Sequence, residues 1–293
     1  MKKKHIQILI DLQNGETVAA TRIPQALAGE LETDGGVTCI TKGSRRAYKV
    51  VSRREFEFFV RGLGLNPDLL QETLGELEES DSRARQVQLT GDSKASPVRA
   101  CPGFPVNVLA PMCVILGSRK VLLSPCPGTF LYVSDFHHFR IPNDVIVVGV
   151  ENMENFRLPE RQRGLLAQIG RREDDDCPPV RLLLVSRYPQ SKDLVNWLQE
   201  IPNPYVHFGD FDLAGIHIFL SEFYAHLGPD RASFFVPEDI EARLRDGGSH
   251  DRYTTQFPRF GKMTLSDARL RPLAALIHQY QKGYDQEGYI VEE

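Results

Sequence analysis

The chain has 293 residues, of which 41% are hydrophobic and 25% charged, and a formal net charge of −4 at pH 7. These values are typical of a globular protein with about two domains and exclude a disordered, collagen-like or coiled-coil chain. No apolar run reaches the roughly 18 residues of a membrane-spanning helix, and the N-terminus lacks the long apolar stretch of a secretory signal. The five cysteines are scattered without C-x-x-C spacing, so we expect a reducing, cytoplasmic setting and no zinc knuckle.

The first elements of the chain predict a small module of helices and a β-hairpin. Thr21 and Pro24 are suited to the start of a helix over residues 19–31. Two short β-rich runs follow at residues 37–40 and 47–51, joined by a hairpin-type loop. A helix followed by a hairpin with a basic tip resembles a winged-helix DNA-binding module, and a plain α+β cap is the alternative.

Positive charge is concentrated in this module. Residues 1–63 contain eleven Lys and Arg against seven Asp and Glu, and residues 42–54 contain six basic residues and no acidic one. Such a cluster attracts phosphate, so we expect it to contact DNA; a solvated basic face is the alternative. The expected DNA-binding residues of the cluster are Lys42, Arg45, Arg46, Lys49, Arg53 and Arg54.

The rest of the chain divides at about Pro142. We expect the N-terminal module to occupy residues 1–85 and a proline-containing, β-rich connector to occupy residues 86–142. Over residues 143–293, apolar strands alternate with helices, which predicts an open, mainly parallel α/β sheet with helices on both faces. The strands of this sheet are expected at residues 144–150, 180–185, 205–208 and 232–236.

Acidic residues follow the strands of this sheet. Glu151 comes directly after the first strand, and Asp210 and Asp212 come after the third. Ligands bind outside the carboxyl ends of such strands, and residues two apart in an extended segment point the same way. Oxygen ligands without His or Cys nearby select Mg²⁺ or Mn²⁺, whereas exposed acids that cap helices are the alternative. Arg187 and Lys192 follow the second strand and are placed to contact phosphate, and Lys192 begins the helix after that strand.

The two acidic segments, Val150 to Phe156 (VENMENF) and Gly209 to Gly215 (GDFDLAG), resemble the Toprim domain. They are most similar to the branch that holds the topoisomerase VI A subunit and JetD/MksG, the nuclease subunit of Wadjet-type, condensin-like plasmid-defence systems. The resemblance covers residues 144–240. Members of this branch carry a winged-helix module before the Toprim domain, which agrees with the basic N-terminal module.

The resemblance implies a Mg²⁺- or Mn²⁺-dependent DNA endonuclease. Glu151 would be a general base, a general acid or a metal ligand, and Asp210 and Asp212 would bind the ion. A late Gln286-Glu287 pair also resembles the JetD branch and implies that Glu287 is a further metal or base carboxylate. The implied partners are double-stranded DNA, a second copy of the chain, and the SMC-like ATPase, kleisin and winged-helix subunits of a nucleoid-associated complex. The chain has no P-loop motif, so an ATP-driven motor would be another subunit.

Two alternative functions remain open. A topoisomerase of this branch needs a tyrosine nucleophile on its winged-helix module, and Tyr48 is the only tyrosine in residues 1–100. The Arg-Asp-x-Tyr-Tyr type of motif of that family is missing, which favours hydrolysis by water. A non-catalytic DNA-binding subunit that uses the same fold for assembly is the other alternative. His207, in the third strand, is expected to be a buried, hydrogen-bonded histidine.

Overall fold

The computed structural model describes residues 2–79, 82–91, 95, 101–170, 180–188 and 191–291. The chain divides into two units, Met1–Ala100 and Cys101–Glu293, and each has its own hydrophobic core. Within the described ranges, every helix is too short or too polar to cross a membrane.

The first unit combines helices with a small antiparallel sheet. Its elements in chain order are α1 (Lys3–Gln13), β1 (Val18–Ala19), a 3₁₀ turn (Ala20–Arg22), α2 (Gln25–Asp34), β2 (Val37–Lys42), β3 (Arg45–Val50), α3 (Arg53–Gly62), a second 3₁₀ turn (Pro67–Leu69), α4 (Leu70–Glu79) and α5 (Arg83–Thr90). The strands lie in the order β1-β3-β2. The helix expected over residues 19–31 begins later, at Gln25, because Ala19 pairs with β3 and Pro24 has an extended backbone.

Local sequence signals explain the hairpin and the helix that follows it. Gly43 takes a φ of +63° in the two-residue turn between β2 and β3, a conformation that favours glycine. The Ser52 hydroxyl accepts a hydrogen bond from the backbone N–H of Glu55 and thereby caps α3. Phe56 and Val60, one turn apart on α3, are fully buried. The order helix, then basic hairpin, agrees with the sequence-based expectation.

The second unit is mixed α/β. Its strands are β4 (Phe104–Val108), β5 (Met112–Leu116), β6 (Arg119–Leu123), β7 (Leu131–Val133), β8 (Phe139–Arg140), β9 (Val145–Val150), β10 (Arg181–Ser186), β11 (Tyr205–Phe208) and β12 (Ala232–Phe234). Its α-helices are α6 (Met153–Arg157), α7 (Arg163–Leu166), α8 (Lys192–Glu200), α9 (Leu213–Ile218), α10 (Ala225–Leu227), α11 (Ile240–Gly247), α12 (His250–Phe260) and α13 (Arg271–Tyr280). A π-helical turn at Phe219–Tyr224 joins α9 to α10, and 3₁₀ turns lie at Phe136–His138, Pro159–Gln162, Ala268–Leu270 and Gln286–Tyr289.

The main sheet has six strands in the order β12-β11-β9-β10-β4-β7. The first four strands are parallel, and β4 and β7 are antiparallel additions at one side. The chain passes from β9 to β10 on one side and from β11 to β12 on the other. The direction of winding therefore reverses between β9 and β11, and a crevice forms outside the carboxyl ends of strands at such a switch point.

Burial of β9 on both faces agrees with its continuous apolar sequence. Val145, Val147, Val148 and Val150 are each at most 1% exposed. Burying one such side chain contributes roughly 1.5–3 kcal/mol. The strand is thus a firm support for the residues that follow it.

The β-rich segment expected as a separate connector is part of the second unit. β4 pairs with β10 and so extends the main sheet, whereas β5, β6 and β8 form a separate three-stranded antiparallel sheet. Val106, Val114 and Phe139 from these strands share a hydrophobic core with β9. The division therefore falls after Ala100, not at residues 85 and 142. Residues 92–94 and 96–100 of the expected connector lie outside the described residues.

Candidate metal centre

The two acidic segments meet at the switch point between β9 and β11. The backbone N–H of Glu151, directly after β9, donates to the carbonyl oxygen of Phe208 at the end of β11 (3.0 Å). Asp210 and Asp212 lie in the short segment that connects β11 to α9. The structure therefore brings the three acids predicted from the sequence to the same edge of the same sheet.

A third aspartate joins Asp210 and Asp212. Phe211 and Tyr284 exchange backbone hydrogen bonds (2.9 and 3.1 Å), which fixes the C-terminal segment beside the segment after β11. Asp285 follows directly. One carboxylate oxygen from each of Asp210, Asp212 and Asp285 lies within 4.8 Å of the other two. We call these three residues the aspartate cluster.

Gln286 connects the ends of the two central strands. It is fully buried, its backbone N–H donates to Asp210 Oδ1 (2.9 Å), and its Nε2 donates to the Phe208 carbonyl (2.6 Å). Its Oε1 accepts from the backbone N–H of Asn152 (2.8 Å). The side chain of Asn152 in turn donates to Glu287. Glu287, a predicted metal ligand, thus holds the loop after β9 and is not part of the aspartate cluster.

Asp212 has a structural role as well as its place in the cluster. It is 1% exposed, and its Oδ1 accepts from the backbone N–H of Gly215 (2.7 Å), which caps α9. Its Oδ2 accepts from Arg252 (2.9 Å) and Gln256 (2.8 Å) of α12. An added Cβ on Gly215 would overlap with the carbonyl of Asp210, so the turn requires glycine.

A guanidinium group lies among the three aspartates. Arg252 Nη1 is 3.1 Å from Asp210 Oδ2 and 2.9 Å from Asp212 Oδ2, and its Nη2 is 2.6 Å from Asp285 Oδ1. Arg252 therefore supplies the positive charge that the cluster needs when no metal is bound.

Neither Arg252 nor Asp285 was predicted from the sequence. Arg252 reaches the cluster because the backbones of Ser249 and Gly283 exchange hydrogen bonds (2.7 and 3.0 Å), which holds the start of α12 beside the C-terminal segment. The available signal for Asp285 was its position directly before the Gln286-Glu287 pair.

The electrostatic environment of Asp210 disfavours its ionised form. Burial, together with the charges of Asp212 and Glu151, raises the pKa of Asp210 to about 7. The Gln286 N–H and Arg252 act in the opposite direction but do not outweigh burial. A divalent cation at this position would favour the ionised form of Asp210.

Glu151 adjoins the aspartate cluster and is ionised at neutral pH. Burial raises the pKa of Glu151, but His207 and Arg187 outweigh burial, so the pKa lies below its usual value. Its Oε2 is 3.5 Å from His207 Nε2, and its Oε1 is 3.9 Å from Arg187 Nη1. His207 is buried in the third parallel strand, as expected, and it lies beside these acids because β11 pairs in register with β9 and sets His207 opposite Gly149.

The groups expected to contact phosphate after β10 lie in different environments. Arg187 donates two hydrogen bonds to the Glu222 carboxylate, from Nε (3.1 Å) and from Nη2 (2.7 Å), and it faces Glu151. Lys192 is the first residue of α8, and its side chain is exposed.

The six basic residues predicted to bind DNA are all exposed on the first unit. Arg46 pairs with Glu32 (2.9 Å) and Arg53 pairs with Glu57 (2.9 Å). The other four, which form no ion pair with the residues that the structure describes, are Lys42, Arg45, Lys49 and Arg54.

Tyr48, the candidate nucleophile of the topoisomerase alternative, is buried. It is 3% exposed, and its hydroxyl donates to Glu32. This hydrogen bond and burial raise the pKa of Tyr48. A buried hydroxyl with a raised pKa is poorly suited to attack a phosphodiester.

The donors of the aspartate cluster fit a hard divalent cation. All are carboxylate oxygens, the ligand type that Mg²⁺ and Mn²⁺ prefer.

Neither a scan against protein-family models nor a search of the curated proteins found a match to this chain.

Proposed function

We propose that this protein is a Mg²⁺- or Mn²⁺-dependent DNA endonuclease of the Toprim type. The observation that carries the proposal is the meeting of Asp210, Asp212 and Asp285, with ionised Glu151 beside them, at the switch point of a mainly parallel sheet. Four carboxylates at such a crevice can hold a divalent cation against a phosphodiester.

The residues of the site have separate roles in this reaction. Asp210, Asp212 and Asp285 would hold the cation, which polarises the phosphate and lowers the pKa of a bound water. Glu151 adds negative charge toward the cation and is placed to accept a proton from the attacking water. Arg252 has to leave at least one aspartate oxygen before that oxygen can bind the cation, since its nitrogens contact all three aspartates.

The first unit would hold the DNA as a winged-helix-like module. Its exposed basic hairpin and the start of α3 would supply phosphate contacts, chiefly through the four residues that form no ion pair within the described part of the chain. We further propose that two copies of the chain act together, since cutting both strands needs two sites. The SMC-like complex implied by the resemblance would supply the motor.

A non-catalytic assembly subunit is the second candidate function. The observation that favours it is Arg252, which satisfies the aspartate cluster without a metal. Metal binding separates the two candidates, because an assembly subunit has no need of a cation. The topoisomerase alternative is less well supported, since Tyr48 is buried and hydrogen-bonded.

The proposal is tested by cleavage of supercoiled plasmid DNA with Mg²⁺ or Mn²⁺. Asp210→Ala and Glu151→Gln are compared with wild type, and Asp246→Asn, an exposed acid on α11, is the matched control. We expect nicked and linear products with protein-free ends from wild type and the control, and none from the two site variants. Cleavage that persists in both site variants, or that leaves protein attached to the DNA, would contradict the proposal.

A further inference from the structure

A buried side chain lies behind Glu151 on the strand next to it. His207 is 1% exposed, its Nδ1 is 2.9 Å from the Tyr205 hydroxyl, and its Nε2 is 3.5 Å from Glu151 Oε2. Both His207 Nε2 and Glu151 Oε2 are buried, and neither has a hydrogen-bond partner within the described part of the chain. Buried polar atoms are rarely left unpaired, so two such atoms that face each other call for an explanation.

Two glycines leave space for the side chains of Tyr205, His207 and Glu151. An added Cβ on Gly209 would lie 2.6 Å from Glu151 Oε2 and 2.7 Å from His207 Nε2. An added Cβ on Gly149 would overlap with the Tyr205 hydroxyl. Neither glycine has a positive φ. The lack of space for a Cβ beside these three side chains therefore accounts for glycine at both positions.

Aromatic rings fix the orientation of the imidazole. The ring centroids of Phe219 and Phe223, both on the π-helical turn, lie 5.6 and 5.2 Å from that of His207, and the centroid of Phe234 on β12 lies 5.5 Å away. The imidazole is therefore held by packing, and its two nitrogens point toward Tyr205 and Glu151.

The neighbours of His207 select one proton arrangement. Burial and the charge of Glu151 raise the pKa of Tyr205 well above its usual value, so its hydroxyl keeps its proton. If that hydroxyl donates to Nδ1, the ring proton lies on Nε2, which faces the Glu151 carboxylate. The opposite tautomer would direct a lone pair at the Glu151 carboxylate.

We infer that His207 is a positioning residue for Glu151: its Nε2–H fixes the carboxylate toward the aspartate cluster, and Tyr205 selects the required tautomer. The inference rests on the proposed function, because Glu151 matters here through a bound cation. A carboxylate held in this way needs no reordering when the cation arrives. Outer hydrogen bonds of this kind typically change metal affinity 10- to 100-fold.

The test is Mn²⁺ affinity, measured on the full chain by the electron paramagnetic resonance signal of free Mn²⁺. We expect His207→Leu to weaken binding about tenfold, and His207→Gln, which keeps an N–H donor, to recover most of the loss. Tyr205→Phe, which changes the least volume, is expected to weaken binding several-fold in a fully folded protein. Tyr253→Phe is the matched control, because it removes an equivalent hydroxyl contact to His278 Nδ1 (3.0 Å) and is expected to have no effect.

A double variant shows whether His207 acts through Glu151. Glu151→Gln alone is expected to weaken Mn²⁺ binding, and adding His207→Leu is expected to cause no further loss. Wild-type affinity in both Tyr205→Phe and His207→Leu, or losses that add fully in the double variant, would overturn the inference while the proposed function stands. Failure of the wild type to bind Mn²⁺ would overturn the proposed function, and the inference with it.

Discussion

Asp210 belongs to the aspartate cluster, is partly buried and lies beside other acids. Burial, and after it the charges of Asp212 and Glu151, raise the pKa of Asp210 to about 7. The i, i+2 spacing and the preceding apolar strand were enough to predict Asp210 and Asp212 from the sequence. Arg252, 42 residues from Asp210, was not predictable, because its approach depends on backbone pairing that no local pattern specifies.

We expect Asp210→Asn to stabilise the metal-free protein at pH 8. The folded-state pKa of Asp210, about 7, lies above the unfolded value of about 3.9. Its contribution to stability is therefore fully present below pH 3.9 and is lost as the pH rises through 7. The variant avoids this loss, which amounts to at most ~4 kcal/mol at about 1.4 kcal/mol per pKa unit.

Chemical denaturation in a chelator from pH 4 to pH 8 measures this effect. The advantage of Asp210→Asn should shrink toward zero as the pH falls to about 4. Asp246→Asn, exposed and paired with Arg245, should stay within about 0.5 kcal/mol of wild type throughout. An Asp210→Asn variant that is less stable than wild type at pH 8 would show that the carboxylate is stabilising there.

At the scale of elements, alternation of apolar strands and helices predicted the four parallel strands close to their observed bounds. The joining of β4 and β7 to the same sheet was not predicted, since antiparallel pairing between β4 and β10 spans residues far apart in the chain. α12 was likewise missed as a source of site residues. An element's periodicity reports its buried face but not the partner that covers it.

Arg252→Gln, on α12, should exchange stability for metal affinity. Without metal, the three aspartates lose their shared positive partner, and we expect a loss of roughly 2–3 kcal/mol. With Mn²⁺, the competing guanidinium is gone, and we expect about tenfold tighter binding, or 1.4 kcal/mol. Denaturation and Mn²⁺ titration measure both changes, with Arg259→Gln on the same helix as the control. Weaker Mn²⁺ binding in Arg252→Gln would mean that Arg252 orders the aspartates for the cation.

Gly209→Ala, one residue beyond the end of β11, should disturb Glu151 and His207 together. The added Cβ lies too close to both side chains, and such overpacking typically costs about 1–3 kcal/mol. We expect lower stability and weaker Mn²⁺ binding. Gly164→Ala in α7 is the matched control, because its Cβ meets nothing within 4 Å. Equal effects of the two substitutions would show that Gly209 is not sterically constrained.

At the scale of the whole molecule, the proposed function assigns DNA binding to the first unit and metal-dependent cleavage to the second. The charge asymmetry along the sequence predicted a basic first unit, and its exposed hairpin agrees with that expectation. The winged-helix and Toprim assignments remain proposals. What the structure adds is that two of the six predicted basic residues already have acidic partners.

DNA affinity should depend unequally on these basic residues. Lys42→Ala and Arg45→Ala are expected to weaken binding of any duplex sequence and to reduce the salt dependence by about one counterion each. Arg53→Ala should have a smaller effect, because its guanidinium pairs with Glu57. Fluorescence anisotropy of a labelled duplex at several KCl concentrations measures both quantities. Equal slopes of the logarithm of DNA affinity against the logarithm of KCl concentration for wild type and Lys42→Ala would mean that the DNA does not contact Lys42.

The most direct test of the account is the position of Mn²⁺ in crystals of the full chain, located by its anomalous scattering. We predict a peak in contact with oxygens of Asp210 and Asp212, next to Glu151, with the Arg252 guanidinium moved away from the aspartates. A Mn²⁺-soaked crystal without a peak at this edge of the sheet, in which Arg252 still contacts all three aspartates, would contradict the assignment of a metal centre.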